Sequence, residues 1–198
     1  STHPMDRYLL AKTREYVEAS TAQLDDYDVA GACETTRGFI DVLTNWYIRR
    51  SRGRFWATDF PVDIAAVAAT AREPFDTLHT VLETVCRVTA PLLPLTAEEI
   101  WRGLTGERSV HLADWPDADE LPADPGLVAA MDLVREVCSA GSALRKAGGL
   151  RTRLPLSSLT VVVADPALLE GFADVVADEL NLRQVRLDLG GSPTSVSI

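Results

Sequence analysis

DVAGACETTRGFIDVLTNWYIRRSRGRFW, residues 28–56, joins an apolar stripe to a run of cations. Val29, Cys33, Thr36, Ile40, Leu43 and Tyr47 recur at spacings of three and four, which puts them on one side of a helix that needs a partner. Asp28 is placed to start that helix and Gly53 to end it. Its last part, Asn45 to Trp56, holds Arg49, Arg50, Arg52 and Arg54, the aromatics Trp46, Tyr47, Phe55 and Trp56, and no acid. Two readings fit. Guanidinium planes and aromatic faces suit the phosphates and unpaired bases of an RNA loop. Alternatively, the stretch is a helix end, with Trp46 and Tyr47 in the core and the arginines at the negative end of the helix dipole.

Upstream, Ser1 to Pro4 reads as a frayed start, and Asp6 as the cap of a helix running to about Leu24, with Leu9, Leu10, Tyr16, Val17 and Leu24 near one face. The turn at Asp25-Asp26 is short, so the first two helices are expected to be antiparallel neighbours. Downstream, Thr58 to Pro61 reads as a loop and Asp63 to Arg72 as an alanine-rich helical segment. Pro74 either interrupts that segment or starts the next helix, which carries Phe75, Leu78, Val81, Leu82, Val85, Cys86 and Val88 to about Thr89. Pro91 and Pro94 stop it. Thr96-Ala-Glu-Glu99 has the form of a capping box for a helix from Ala97 to about Leu104, with Ile100, Trp101 and Leu104 turned to the bundle. Capping accounts for Glu99 without catalysis, and no orienting partner stands beside the Glu98–Glu99 pair.

Asp114 to Pro125 is acidic and punctuated by Pro116, Pro122 and Pro125, the pattern of a linker. Beyond it, Leu127, Met131, Val134, Val137, Cys138 and Leu144 mark a long helix to Ala147, closed by Gly148-Gly149. Leu159 to Val163 reads as a strand, Ala167 to Asp178 as a helix capped at Asp165-Pro166, and Val185 to Leu189 as a second strand. Gly190 to Ile198 reads as flexible. The expected fold is mainly α, an antiparallel helical bundle with a small α/β C-terminal appendix: 1–116 bundle, 117–125 linker, 126–198 long helix plus β-α-β unit.

A chain of 198 residues with 46% hydrophobic residues can bury a core. No run approaches the roughly 18 apolar residues of a membrane span, and there is no signal-like start. Cys33, Cys86 and Cys138 are odd in number and widely separated, which fits buried free thiols and a cytoplasmic setting. His3, His79 and His111 stand alone, so no zinc site is expected. P-loop, dinucleotide and Ser-His-Asp signatures are missing.

The net charge of −10 argues against a non-specific nucleic-acid coat. The cations, however, are concentrated. Besides Asn45–Trp56, the window Gly141–Leu154 carries Arg145, Lys146, Arg151 and Arg153 without an acid, and the rest of the chain sets 11 basic against 29 acidic residues. An RNA would be steered to those two windows and repelled elsewhere.

Four segments in order carry a resemblance: the Asn45–Trp56 stretch, Ala90-Pro-Leu-Leu-Pro-Leu-Thr-Ala-Glu-Glu-Ile-Trp101, Ser109-Val-His-Leu-Ala-Asp-Trp-Pro116, and Gly148-Gly-Leu-Arg-Thr-Arg-Leu-Pro-Leu-Ser-Ser-Leu159 with Glu179-Leu-Asn-Leu-Arg-Gln-Val185. Together they resemble the anticodon-binding region of isoleucyl-tRNA synthetases, over nearly the whole chain. The resemblance implies the tRNA-reading C-terminal part of an isoleucine–tRNA ligase. Its partners would be isoleucine tRNA and the catalytic and editing domains of the same enzyme, with no DNA and no membrane. The His-Ile-Gly-His and Lys-Met-Ser-Lys-Ser types of motif are missing, so the chain is not expected to aminoacylate alone. No cofactor is implied for it, ATP and Mg belonging to the absent catalytic domain. Trp56 would stack on an anticodon base, Arg49, Arg50, Arg52 and Arg54 would hold phosphates or base edges, and Asn45 would add a base contact. Arg145, Lys146, Arg151 and Arg153 would touch either the tRNA or the rest of the enzyme. The competing expectation is a helical protein-interaction module descended from a synthetase and without RNA binding.

Overall fold

A computed structural model describes residues 1–56, 64–190 and 195–197, with side chains described outside 64–71 and 195–197. The chain divides into two compact units, Ser1–Asp124 and Pro125–Ile198.

The first unit is helical. Helix α1 spans Pro4–Asp25 and buries Tyr8, Leu9, Tyr16 and Val17, each of which contributes about 1.5–3 kcal/mol on leaving water. His3, not Asp6, caps it: the His3 Nδ1 accepts from the Met5 N–H at 3.2 Å. Ser1 is tied down as well, its hydroxyl donating to Asp6 at 2.6 Å and Glu73 at 2.8 Å. The turn after α1 puts Tyr27 at φ 59°, and Asp28 then caps α2, Val29–Asp41, by accepting from the Gly31 N–H. The two helices run antiparallel. Tyr16 stacks on Phe39 with centroids 4.4 Å apart, and its hydroxyl lies 3.1 Å from that of Thr36. Burial pushes the Tyr16 phenol up to about 12 against the pull of the Thr36 and Ser20 hydroxyls.

The buried stripe of α2 departs from the expected one. Thr36, Leu43 and Tyr47 are buried as expected, but Val29, Cys33 and Ile40 are exposed, and Ala32 and Phe39 face the core in their place. The stacked ring of Phe39 outweighs Ile40 one position on. Cys33 is therefore an exposed thiol, while Cys86 and Cys138 are buried, and none of the three is in a disulfide. From Val42 to Ile48 the helix widens to a π-helical stretch, in which Val42, Leu43, Trp46 and Tyr47 are buried. A short helix, α3 at Arg52–Trp56, follows.

The Thr58–Pro61 loop expectation lies outside the described residues. Helix α4, Ile64–Thr89, runs through Pro74 as one helix. Its covered face is rich in threonine as well as valine: Thr77, Thr84 and Thr89 are buried beside Val81 and Val88, and the Thr84 and Thr89 hydroxyls bond to carbonyls four residues back. Helix α5, Pro94–Thr105, starts earlier than the capping-box reading required. Pro94 takes the first turn, Thr96 and Glu99 both lie inside the helix and exposed, and no side chain caps the start. Of the three residues expected to pack, Trp101 is buried and Ile100 is exposed.

The acidic, proline-punctuated stretch is strapped to α1 rather than hanging free as a linker. Arg14 reaches Asp119 at 2.6 Å and the Leu121 carbonyl at 3.0 Å, Arg7 reaches Asp124 at 2.6 Å, and the Trp115 indole donates to Thr21 at 2.8 Å. Leu121 is buried.

In the second unit, α6 spans Pro125–Ala147 and buries Val128, Met131, Val134, Val137 and Cys138. Strand β1, Leu159–Val163, alternates buried and half-buried residues at the centre of a three-stranded sheet. Strand β2, Val185–Leu189, pairs parallel to it with Leu159 opposite Val185. The crossover is two short helices, α7 at Ala167–Glu170 and α8 at Ala173–Leu180, where one was expected. Within the stretch read as flexible, Ser195–Ser197 forms β3, antiparallel to β1. Among the described residues no helix is long and apolar enough to cross a membrane, and no His, Cys, Asp or Glu cluster could hold a metal ion.

Candidate nucleic-acid interface

The stretch Asn45–Trp56 keeps both of its readings, divided between residues. Trp46 and Tyr47 are core, and Phe55 is half-buried, edge-on to Tyr47 at 6.3 Å and to Phe75 at 5.0 Å. Trp56 alone of the four aromatics is exposed, at 65%. The Arg52 guanidinium lies over its ring, 4.9 Å from the centroid, an attraction of about 0.5–1 kcal/mol at an exposed site. Arg50 covers the Trp46 ring in the same way at 5.3 Å. Arg49 is exposed and its Nε donates to the Asn45 carbonyl at 2.8 Å, while the Asn45 amide donates to Asp41 at 2.7 Å.

Arg54 is a correction to the expected set of phosphate contacts. Its two terminal nitrogens form a fork on Asp6, at 2.6 and 2.7 Å, and Asp6 is fully buried at 0% exposure. The same carboxylate accepts from the Tyr47 hydroxyl at 2.9 Å and from Ser1. Burial and the adjacent carboxylate push the Tyr47 phenol well above its usual value. Asp6 is the residue the sequence reading missed. An acid-free run of arginines calls for a counter-charge, yet no spacing links position 6 to position 54.

The second basic window divides too. Arg145 is 2% exposed, and its guanidinium donates to the carbonyls of Leu180 at 3.0 Å, Arg151 at 2.6 Å and Leu154 at 2.6 Å. It is a brace and not a surface cation, which removes it from the expected tRNA contacts. Lys146, Arg151 and Arg153 are exposed. Gly149, at φ 65°, turns the chain out of α6, and Leu150 closes that turn on the Arg145 carbonyl at 2.9 Å. The turn places Arg151 and Arg153 at the surface.

A family model described as the anticodon-binding domain of tRNA ligase matches residues 6–162. The chain belongs to that family. It is 56% identical over 187 residues to an isoleucine–tRNA ligase of Nocardia farcinica, covering 94% of this chain and 17% of the relative. The isoleucine–tRNA ligase of Mycobacterium tuberculosis is 55% identical over the same shares, and that of Leifsonia xyli is 60% identical over 183 residues, 92% of this chain and 16% of the relative. The chain thus spans about a sixth of the length of these relatives. The match to the anticodon-binding domain starts at Asp6, takes in the whole Arg and aromatic stretch, and ends inside β1.

The end of the anticodon-binding domain that holds Asp6 should be acid-sensitive. The His3 Nδ1 can cap α1 only as neutral imidazole, and burial, with Arg54 nearby, holds its pKa below the usual 6.5 against Asp6 and Glu73. Burial alone would raise Asp6, but the hydrogen bonds from Arg54, Ser1 and Tyr47 outweigh it and leave the carboxyl below 3.8. Both values are lower folded than unfolded, so the unfolded chain binds more protons and acid destabilises. The His3 loss begins as pH falls through 6.5 and ends below its folded value. The Asp6 contribution is complete above 3.8 and disappears as pH falls through its folded value. The Tm followed from about pH 8 to about pH 3 should fall in two stages, and His3→Asn, which keeps a capping oxygen, should abolish the upper one.

Proposed function

We propose that this domain reads the anticodon stem-loop of isoleucine tRNA on behalf of a longer cytoplasmic isoleucine–tRNA ligase, whose other parts carry out the ATP-dependent aminoacylation. The observation that carries this reading is Trp56, an exposed indole with one face under the Arg52 guanidinium, on a helix end anchored to a buried carboxylate. An unpaired base would stack on the other indole face. Arg49, Arg50 and Arg52 would meet phosphates or base edges, and Asn45, its amide oriented by Asp41, would contribute a base contact. Lys146, Arg151 and Arg153 would grip the backbone as a second, sequence-independent contact.

The test is equilibrium binding of the chain to isoleucine tRNA and to one with an altered anticodon, at two salt concentrations. Trp56→Ala should cost about 1–3 kcal/mol at both, the range of one lost base stack. Arg52→Gln should reduce the slope of affinity against salt by about one ion. Binding indifferent to the anticodon would reduce the role to an electrostatic grip. No binding even at low salt would favour the helical protein-interaction module.

A further inference from the structure

We infer that Asp6 is a positioning residue, a buried acid whose grip on Arg54 holds the Trp56–Arg52 platform in place before any RNA arrives. This rests on the reading of Trp56 as a base-stacking surface. Helix α3 is five residues long, too short to be stable by itself. The Ser51 N–H on the Tyr47 carbonyl at 2.8 Å joins it to the preceding helix, and what fixes it there is tertiary: the Phe55 ring against Phe75 and the fork of Arg54 on Asp6. Asp6 also takes the Tyr47 hydroxyl, so one carboxylate links α1, the π-helical stretch and α3. Both terminal nitrogens of Arg54 are used in that fork and its charge is matched. Arg54 therefore supplies orientation, while Arg52 and Trp56, two residues to either side, face outward.

Removing an acid from within a cationic patch should strengthen RNA binding if charge alone mattered. A positioning role requires the opposite. Asp6→Asn keeps an acceptor for Tyr47 but loosens Arg54, and it should weaken tRNA binding about tenfold although the protein becomes more positive, because the base stack is no longer held in register. Arg54→Gln should give a similar loss with an unchanged salt slope, whereas a phosphate contact would lower that slope by about one.

The direct readout needs no RNA. In protein labelled with 5-fluorotryptophan, the Trp56 fluorine resonance, assigned with Trp56→Phe, should shift or broaden in Asp6→Asn while those of Trp101 and Trp115 stay in place. The double variant Asp6→Asn, Arg54→Gln, which leaves no unpaired buried charge, repeats the comparison should either single variant fail to fold. An unmoved Trp56 resonance with tRNA binding equal to or tighter than that of the unaltered protein overturns the inference, and so does a fall in salt slope for Arg54→Gln. A Trp56 resonance that moves, in a protein whose tRNA binding ignores Trp56→Ala, upholds the positioning role and sinks the base-stacking reading instead.

Discussion

Arg145→Met should destabilise the second unit by about 3 kcal/mol or more, while Lys146→Ala, Arg151→Ala and Arg153→Ala each change stability by no more than about 0.5 kcal/mol. The four cations stand in one acid-free window, but their surroundings are opposite. The Arg145 guanidinium is out of solvent and holds the carbonyl at the end of α8 together with two carbonyls of the turn after α6. A hydrogen bond from a charged donor contributes about 1.5–3 kcal/mol, and each buried carbonyl left without a donor costs a further desolvation term of similar size. Methionine fills the volume of the stem and makes none of these bonds. Arg145→Lys should fall in between, because an ammonium keeps the charge but cannot span three carbonyls from one plane. Urea denaturation measures the loss. Hydrogen exchange locates it, with faster exchange at Leu150 and Leu154, whose amides close turns next to the brace. A variant stable as the unaltered protein yet weaker on tRNA would return Arg145 to the surface contacts.

What could be read in the sequence is what local pattern dictates. The strands Leu159–Val163 and Val185–Leu189 have the residue limits that their β-branched and alternating composition marks, and Asp28 caps α2 because a carboxylate at that point reaches the Gly31 N–H. Where a pattern competed with a partner far along the chain, the partner won. Asp6 has the placing of a cap and becomes instead the anchor of Arg54, forty-eight positions away. Phe39 displaces Ile40 from the core because Tyr16 offers it a ring to stack on. Thr96 and Glu99 make a capping box on paper, but Pro94 already has the fixed φ of a helix start, and the box falls one turn inside. For the candidate interface, type and spacing picked out the right stretch. They could not separate exposed Trp56 from buried Trp46, nor Arg52 from Arg54, whose partner Asp6 lies far back on α1.

Trp101→Ala should cost about 3–5 kcal/mol, and Trp101→Phe should cost far less, about 1 kcal/mol. Trp101 is the one large side chain of a cluster made otherwise of Cys86, Ala90, Ala97, Val110 and Ala113. Such small neighbours have nothing long enough to swing into the space, so truncation leaves most of the indole volume as cavity. The corner around it is also pinned. Glu98, which sequence reasoning had set aside with Glu99, accepts from the Ser109 hydroxyl and the Val110 N–H at 2.9 Å each, and so holds Val110 against the ring and resists collapse. Phenylalanine keeps most of the contact area. It also removes a buried indole N–H that has no hydrogen-bond partner among the described residues, which offsets part of the lost contact. Urea denaturation of the two variants decides the matter. Costs that are equal would mean that the corner closes around the alanine, and Glu98→Gln, which weakens the pin, should then show little effect as well. A large gap between alanine and phenylalanine, narrowed when Glu98→Gln is added, would show that the carboxylate keeps the cavity open.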